Sequence, residues 1–177
     1  HNTPRVAALA LALMFVGMRT PGPVKLGMVK RAKAAAPENL PSGWTDAVGI
    51  DTIQAGTDGN MAPLANGAAV APDANRMDIQ QKEGHNVAKI DWGSFNIGSG
   101  NSVNIRQNSV TDTIVNLVNG SDPSMIAGSL NATGNVVLVN PHGITFNGAT
   151  INTGSFTATT RRADGVDFTM EGEGENR

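Results

Sequence analysis

From Met77 onward the chain alternates. MDIQQ, NVAKIDW and FNI place apolar side chains at every second position, the period at which a strand turns one face to a core and the other to water. The stretch from Asn135 to Ser155, NVVLVNPHGITFNGATINTGS, then sets short apolar runs between Asn, Gly and Thr, with no charge and one Pro. NPHG at Asn140 to Gly143 has the makings of a turn: Asn140 can accept a backbone hydrogen bond as an Asx turn, Pro141 presets φ at the second position, and Gly143 closes it. FNGATI turns at Asn147 and Gly148, and INTGSF at Thr153 and Gly154, so strands recur about every seven to eight residues. Three such strands make a coil of twenty-odd residues, inside the repeat range of a solenoid. Spacing alone also suits an antiparallel sandwich.

What covers these strands bears on the choice. Between Trp92 and Thr160 only Arg106, Asp112 and Asp122 are charged, whereas Asn occurs 11 times. In a parallel β-helix every strand stacks on its equivalents in the coils above and below. Columns of Asn can bond one another along that axis, where columns of like charge would repel. The amides therefore favour stacked coils. Upstream, Pro37 to Asn75 is rich in Gly, Ala, Pro and Asp, and WTDAVGIDTI is its one hint of a strand, so this part reads as a loop-rich cap.

Val6 to Met18, VAALALALMFVGM, is an unbroken apolar run of 13 residues. It is too short to span a bilayer as a helix but suits the apolar region of an export signal, with Arg5 ahead of it. KAAAP at Lys33 to Pro37 offers small residues for cleavage after Ala36. The basic residues between Met18 and Ala34 are unusual for such a leader, so the cleavage point is less well defined than export itself. The expected organisation is a leader over 1–36, a loop-rich N-terminal cap over 37–76, a β-helical domain over 77–165, and an acidic tail or truncated next coil over 166–177.

Composition then removes several chemistries. The 177 residues suit one domain, and with no Cys there is neither a disulfide framework nor a thiolate metal site. Residues 1–36 hold six basic side chains and no acid, while the remainder holds seven basic side chains against all 15 acids. An acidic body repels phosphate backbones, which argues against a nucleic-acid partner. The three charges between Trp92 and Thr160 lie too far apart in sequence to suggest a carboxylate pair. No G-x-S-x-G, Walker loop, HExxH or calcium-binding glycine-aspartate repeat is present. His85 in KEGHN reads as a solvated loop residue, and EGEGE at Glu171 to Glu175 as a solvated acidic tail. No catalytic residue, metal or cofactor is expected. Asn119 and Asn131 stand in N-x-S/T sequons, which arise readily in so Asn-rich a chain.

Two stretches, IDWGSFNIGSGNSVNI at Ile90 to Ile105 and NGSDPSMIAGSLNATGNVVLVNPHGITFNGATINTGSFTATT at Asn119 to Thr160, together resemble the N-terminal secretion domain of the two-partner secretion exoproteins, the filamentous haemagglutinin family. The resemblance covers about residues 77–160 and weakens back to Pro37. His142 stands where the family usually has Asn in its NPNG-I turn. The Asn-Pro-Asn-Leu signature of one branch is absent, which places the chain nearer the high-molecular-weight adhesin branch.

That resemblance implies an all-β fold, a right-handed parallel β-helix with short N-terminal capping strands. It also implies passage through the periplasm of a Gram-negative bacterium to the cell surface or medium. The partner would be an outer-membrane barrel transporter whose periplasmic domains recognise the segment, with no stable membrane span in the chain itself. The first coils would template those that follow, because only the first must nucleate. The residues carried over are Asn140, Pro141, His142, Gly143 and Ile144 as the secretion turn, with Trp92, Phe95 and Ile97 as packing near the start. Downstream regions in the family serve adhesion, haemolysis, haem capture or toxin delivery, and a host surface would be met through those. A competing expectation is an extracellular glycan-binding or glycan-cleaving β-helix, marked by a groove of acids or exposed aromatics; another is a truncated gene product.

Overall fold

A computed structural model describes residues 39–162; the apolar run at Val6 to Met18, the KAAAP segment and the acidic EGEGE stretch lie outside them. The described residues form thirteen strands. Ten of them wind into three coils and the start of a fourth: β4 (Arg76–Gln81) and β5 (Val87–Trp92); β6 (Ser102–Arg106), β7 (Thr113–Val118) and β8 (Ser124–Ile126); β9 (Ser129–Ala132), β10 (Asn135–Val139) and β11 (Ile144–Phe146); then β12 (Thr150–Asn152) and β13 (Ser155–Thr159). Each strand pairs in parallel with its equivalents in adjacent coils, giving the sheets β4-β6-β9-β12 and β5-β7-β10-β13 and the pair β8-β11, which a bridge from Ile126 extends to Ile97. This is a parallel β-solenoid, as the amide-rich coils predicted; the antiparallel sandwich is ruled out, because no two of these ten strands pair antiparallel.

The alternation in the sequence is the alternation of faces. RMDIQQ in β4 turns Met77, Ile79 and Gln81 inward, and VAKIDW in β5 does the same with Ala88, Ile90 and Trp92. Val103, Ile105, Ile114, Val118, Leu130, Val136 and Leu138 continue those inward columns through the later coils, forming one apolar stripe buried along the axis. Removing such side chains from water supplies the main driving force, roughly 1.5–3 kcal/mol for each fully buried aliphatic residue. The coil period tightens along the chain. Val87 pairs with Thr113, Thr113 with Asn135, and Asn135 with Ser155, so successive coils take 26, 22 and 20 residues. The early excess lies in the corner QNSVTD at Gln107 to Asp112, where later coils use Thr-Gly. Asp112 is buried, and its carboxylate accepts the backbone N–H groups of Asn108 and Ser109 at 3.1 and 2.9 Å. Small corners also let coils approach closely: a Cβ at Gly128 would run into the carbonyl oxygens of Gly98 and Asn101.

The segment read as loops with one strand is more ordered than its composition suggested. It holds β1 (Asp46–Val48), β2 (Ile50–Thr57) and β3 (Asn60–Pro63), and β2 is the longest strand among the described residues. β1 runs antiparallel to β5, β2 antiparallel to β4, and Ser42 bridges Ser94 antiparallel on the third side. The first coil is thus closed on all three sides by chain running against it. Leu40 is buried beneath this cap, and the half-buried Trp44 ring donates its Nε1–H to the carbonyl of Leu64 at 3.1 Å. Of the eight side chains in β2 only Ile53 is buried, which is why no apolar alternation announced the strand.

Candidate functional site

Asn140 follows the last residue of β10 and opens the NPHG turn. Its side chain is fully buried. One amide group makes three bonds: Nδ2 donates to the Asp122 carbonyl and the Ser124 hydroxyl, each at 3.0 Å, and Oδ1 accepts the His142 backbone N–H at 2.9 Å. The last is the Asx turn the sequence suggested, and the Gly143 N–H closes the β-turn on the Asn140 carbonyl at 3.1 Å. The Asn140 backbone N–H also reaches the Thr159 carbonyl at 3.0 Å, and the Ser124 N–H reaches the Gly143 carbonyl at 2.9 Å. The side chain therefore ties its coil to the one before, and its backbone ties it to the one after. Gly143 sits at φ +119°, a conformation that side chains disfavour, which accounts for the Gly.

The rest of the turn faces outward. His142 is exposed and Pro141, Gly143 and Ile144 are half-buried. Pro141 and His142 form part of the wall of a cleft of about 380 Å³, together with Leu117, Asn119, Val139 and Arg162. The turn's hydrogen bonds take only the backbone N–H from position 142.

Trp92, Phe95 and Ile97 are all buried in the first coil, and the Trp92 and Phe95 rings meet edge to face at 5.9 Å. Trp92 pairs with Val118; Leu117 pairs with Val139, which puts Asn140 next in that register. The structure so brings Trp92 and Asn140 into one inward column, with Val118 between them. It also supplies a residue that sequence reasoning missed. Asn116 is fully buried, accepts the Trp92 Nε1–H at 3.0 Å and donates to the Val137 carbonyl at 3.4 Å, joining three coils inside the cylinder. Its signal was an Asn at an inward position of the otherwise apolar TIVNLV.

A second set of amides runs along the outside. Asn152 donates to Asn131, Asn131 to Asn104, and Asn104 to Asp78, at 3.0, 3.0 and 2.9 Å. Arg76 completes the column by gripping both oxygens of Asp78 at 2.9 Å. Among the described residues no three His, Asp or Glu side chains gather as a metal site, and no helix is long and apolar enough to cross a membrane.

The chain is similar in sequence to known proteins. Residues 53–174 match the family model of the TPS secretion domain. Two heme/hemopexin-binding proteins of Haemophilus influenzae are similar: one is 36% identical over 108 residues, covering 60% of this chain and 12% of that protein, the other 40% identical over 89 residues, covering 50% and 9%. The chain thus spans about a tenth of the length of these relatives. Among solved structures, the HMW1 secretion domain from Haemophilus influenzae is similar at 28% identity, with a TM-score of 0.48, over 68% of this chain and 28% of that one. Nothing in these comparisons supports the glycan-active alternative.

Proposed function

Since the chain belongs to the TPS secretion domain family, whose role is to direct secretion of exoproteins, we propose that it delivers a larger exoprotein to an outer-membrane barrel transporter and starts β-helix folding at the cell surface. The transporter's periplasmic domains are the partner, and the route runs through the periplasm of a Gram-negative cell. The observation that supports this reading is the closure of the first coil. The first coil is closed by antiparallel strands, whereas β11, β12 and β13 each pair only with the preceding coil among the described residues. A solenoid whose first coil is closed can be extended only away from that coil, and each added coil needs no new nucleus.

In this reading Asn140, Pro141, His142, Gly143 and Ile144 form the secretion turn, with Trp92, Phe95 and Ile97 as the packing beneath it. Asn140 acts through the turn it holds, since its buried amide offers nothing to a partner meeting the folded coils. Co-expression with the cognate barrel transporter moves the chain into the medium. Asn140→Ala lowers that export and destabilises the fold by about 1–3 kcal/mol, the usual cost of stranding buried hydrogen-bonding groups. Equal secretion in the absence of the transporter rejects the partnership.

A further inference from the structure

The chain contains three Asn-Gly pairs, Asn66–Gly67, Asn119–Gly120 and Asn147–Gly148, and the fold treats them differently. Asn-Gly is the dipeptide in which the following backbone nitrogen most easily reaches the Asn side-chain carbonyl, because Gly presents no Cβ to obstruct the approach. At Asn66–Gly67 both reacting groups are held: Asn66 Nδ2 donates to the Thr45 carbonyl at 2.8 Å, and the Gly67 N–H to the Trp44 carbonyl at 2.7 Å. At Asn119–Gly120 the side chain is exposed, but Gly120 packs directly on the Gly93 carbonyl, which restrains the peptide that must rotate. At Asn147–Gly148 both residues are exposed, nothing lies within 4 Å of the Gly148 Cβ direction, and the Gly148 N–H makes no backbone hydrogen bond among the described residues. Only the Asn147 N–H is anchored, to the Ile126 carbonyl at 2.9 Å.

We infer that Asn147 is a self-acting modification site, converting to aspartate and isoaspartate in the folded protein ahead of the other two pairs. The Gly148 nitrogen, losing its proton to solvent base, attacks Asn147 Cγ. The new N–Cγ bond forms as the Cγ–Nδ2 bond breaks, and ammonia leaves. Water then opens the resulting five-membered imide. Cleavage at Cγ gives aspartate, and cleavage at the backbone carbonyl gives isoaspartate, with the main chain rerouted through the side chain. No oxidant or reductant is involved.

The location gives the change its consequence. Asn147 lies at the corner between β11 and β12, in the last of the described coils. Aspartate puts a negative charge on a surface that has almost none, and isoaspartate lengthens the backbone of a corner on which another coil would have to stack. A chain kept waiting thus loses the corner geometry on which, in the function proposed above, further coils would stack.

The test is to age the full-length chain at mildly alkaline pH and quantify each Asn-Gly peptide by mass spectrometry, with isoaspartyl methyltransferase labelling as a second readout. Conversion at Asn147 runs at least about tenfold faster than at Asn66, whose reaction must await local opening. Asn147→Gln removes most of the label. In denaturant the three sites converge, since the ranking is imposed by the fold. Faster or equal conversion at Asn66 or Asn119 in the folded chain, no conversion at Asn147, or the same ranking in denaturant overturns the inference.

Discussion

The capped first coil and the later described coils are held together by different chemistry. At the closed end opposite charges meet: Arg76 bonds Asp78 and, at 3.2 Å, Asp58, while Lys89 lies 2.7 Å from Asp91 and 3.4 Å from Asp46. The later described coils are joined by carboxamides, outside through Asn104, Asn131 and Asn152 and inside through Asn116 and Asn140. Repetition explains the contrast. A stacked column brings equivalent side chains within about 4.8 Å, where identical charges repel and identical amides donate and accept in turn. The junction of the cap with the first coil occurs once, so its charges can be paired with opposite partners. The amide column is also directional. Every Nδ2 in it points to the preceding coil, and the Asn152 oxygen takes no donor among the described residues.

The largest expected effect tests whether the inner column belongs to the whole molecule. Trp92→Ala costs about 3–5 kcal/mol, because it empties a large buried volume and leaves the Asn116 oxygen without its donor. Urea unfolding should show the midpoint falling with an unchanged slope; a loss below about 1 kcal/mol would mean the column carries little of the stability.

A smaller effect separates amide from charge on the outer column. Asn131→Ala costs about 1 kcal/mol for the bonds removed. Asn131→Asp costs more, since it sets a carboxylate against the Asn104 oxygen and removes the donor that oxygen uses. If thermal melts rank aspartate as equal to or milder than alanine, the account of the amides given above fails.

The smallest effect is confined to the cap and the first coil beneath it, and depends on pH. Burial by itself would raise the Asp78 carboxyl, but hydrogen bonds from Arg76 and Asn104, with the Arg76 charge, outweigh it and hold the group below the ordinary carboxylate range. A depressed carboxyl adds stability above its unfolded value of about 3.9, and that stability is lost as pH falls through the lower folded value. Lys89 is raised, chiefly by its hydrogen bond to Asp91, so its contribution is present below about 10.4 and fades as pH climbs through the higher folded value. Hydrogen exchange, corrected for intrinsic rates, should show β2 and β4 loosening first in acid and β1 and β5 first in alkali. Uniform loosening of all coils in either direction would remove the distinction between cap and coils.

Much of the coiled region was legible because local pattern and burial coincide there. MDIQQ and NVAKIDW alternate just as β4 and β5 turn in and out, and NPHG forms the Asx-stabilised turn its residues favour. The turn's inner and outer halves were not legible. Nothing local says that Asn140 is enclosed while His142 faces water, because that depends on Asp122, Ser124 and Thr159 arriving from neighbouring coils. The cap strands were expected only through the family resemblance and not from the local pattern, for the same reason: β2 is half-exposed and made by pairing with β4, with little apolar pattern of its own.

Residue order alone thus determined the strand period, the corners and the replacement of charge by amide, since each of these expresses the preference of a few adjacent residues for a backbone shape or for water. Strand partners and directions were decided by the tertiary structure. A coil and a hairpin can share one local alternation, and hydrogen bonds between residues 20–26 positions apart separate them only when the chain has closed upon itself.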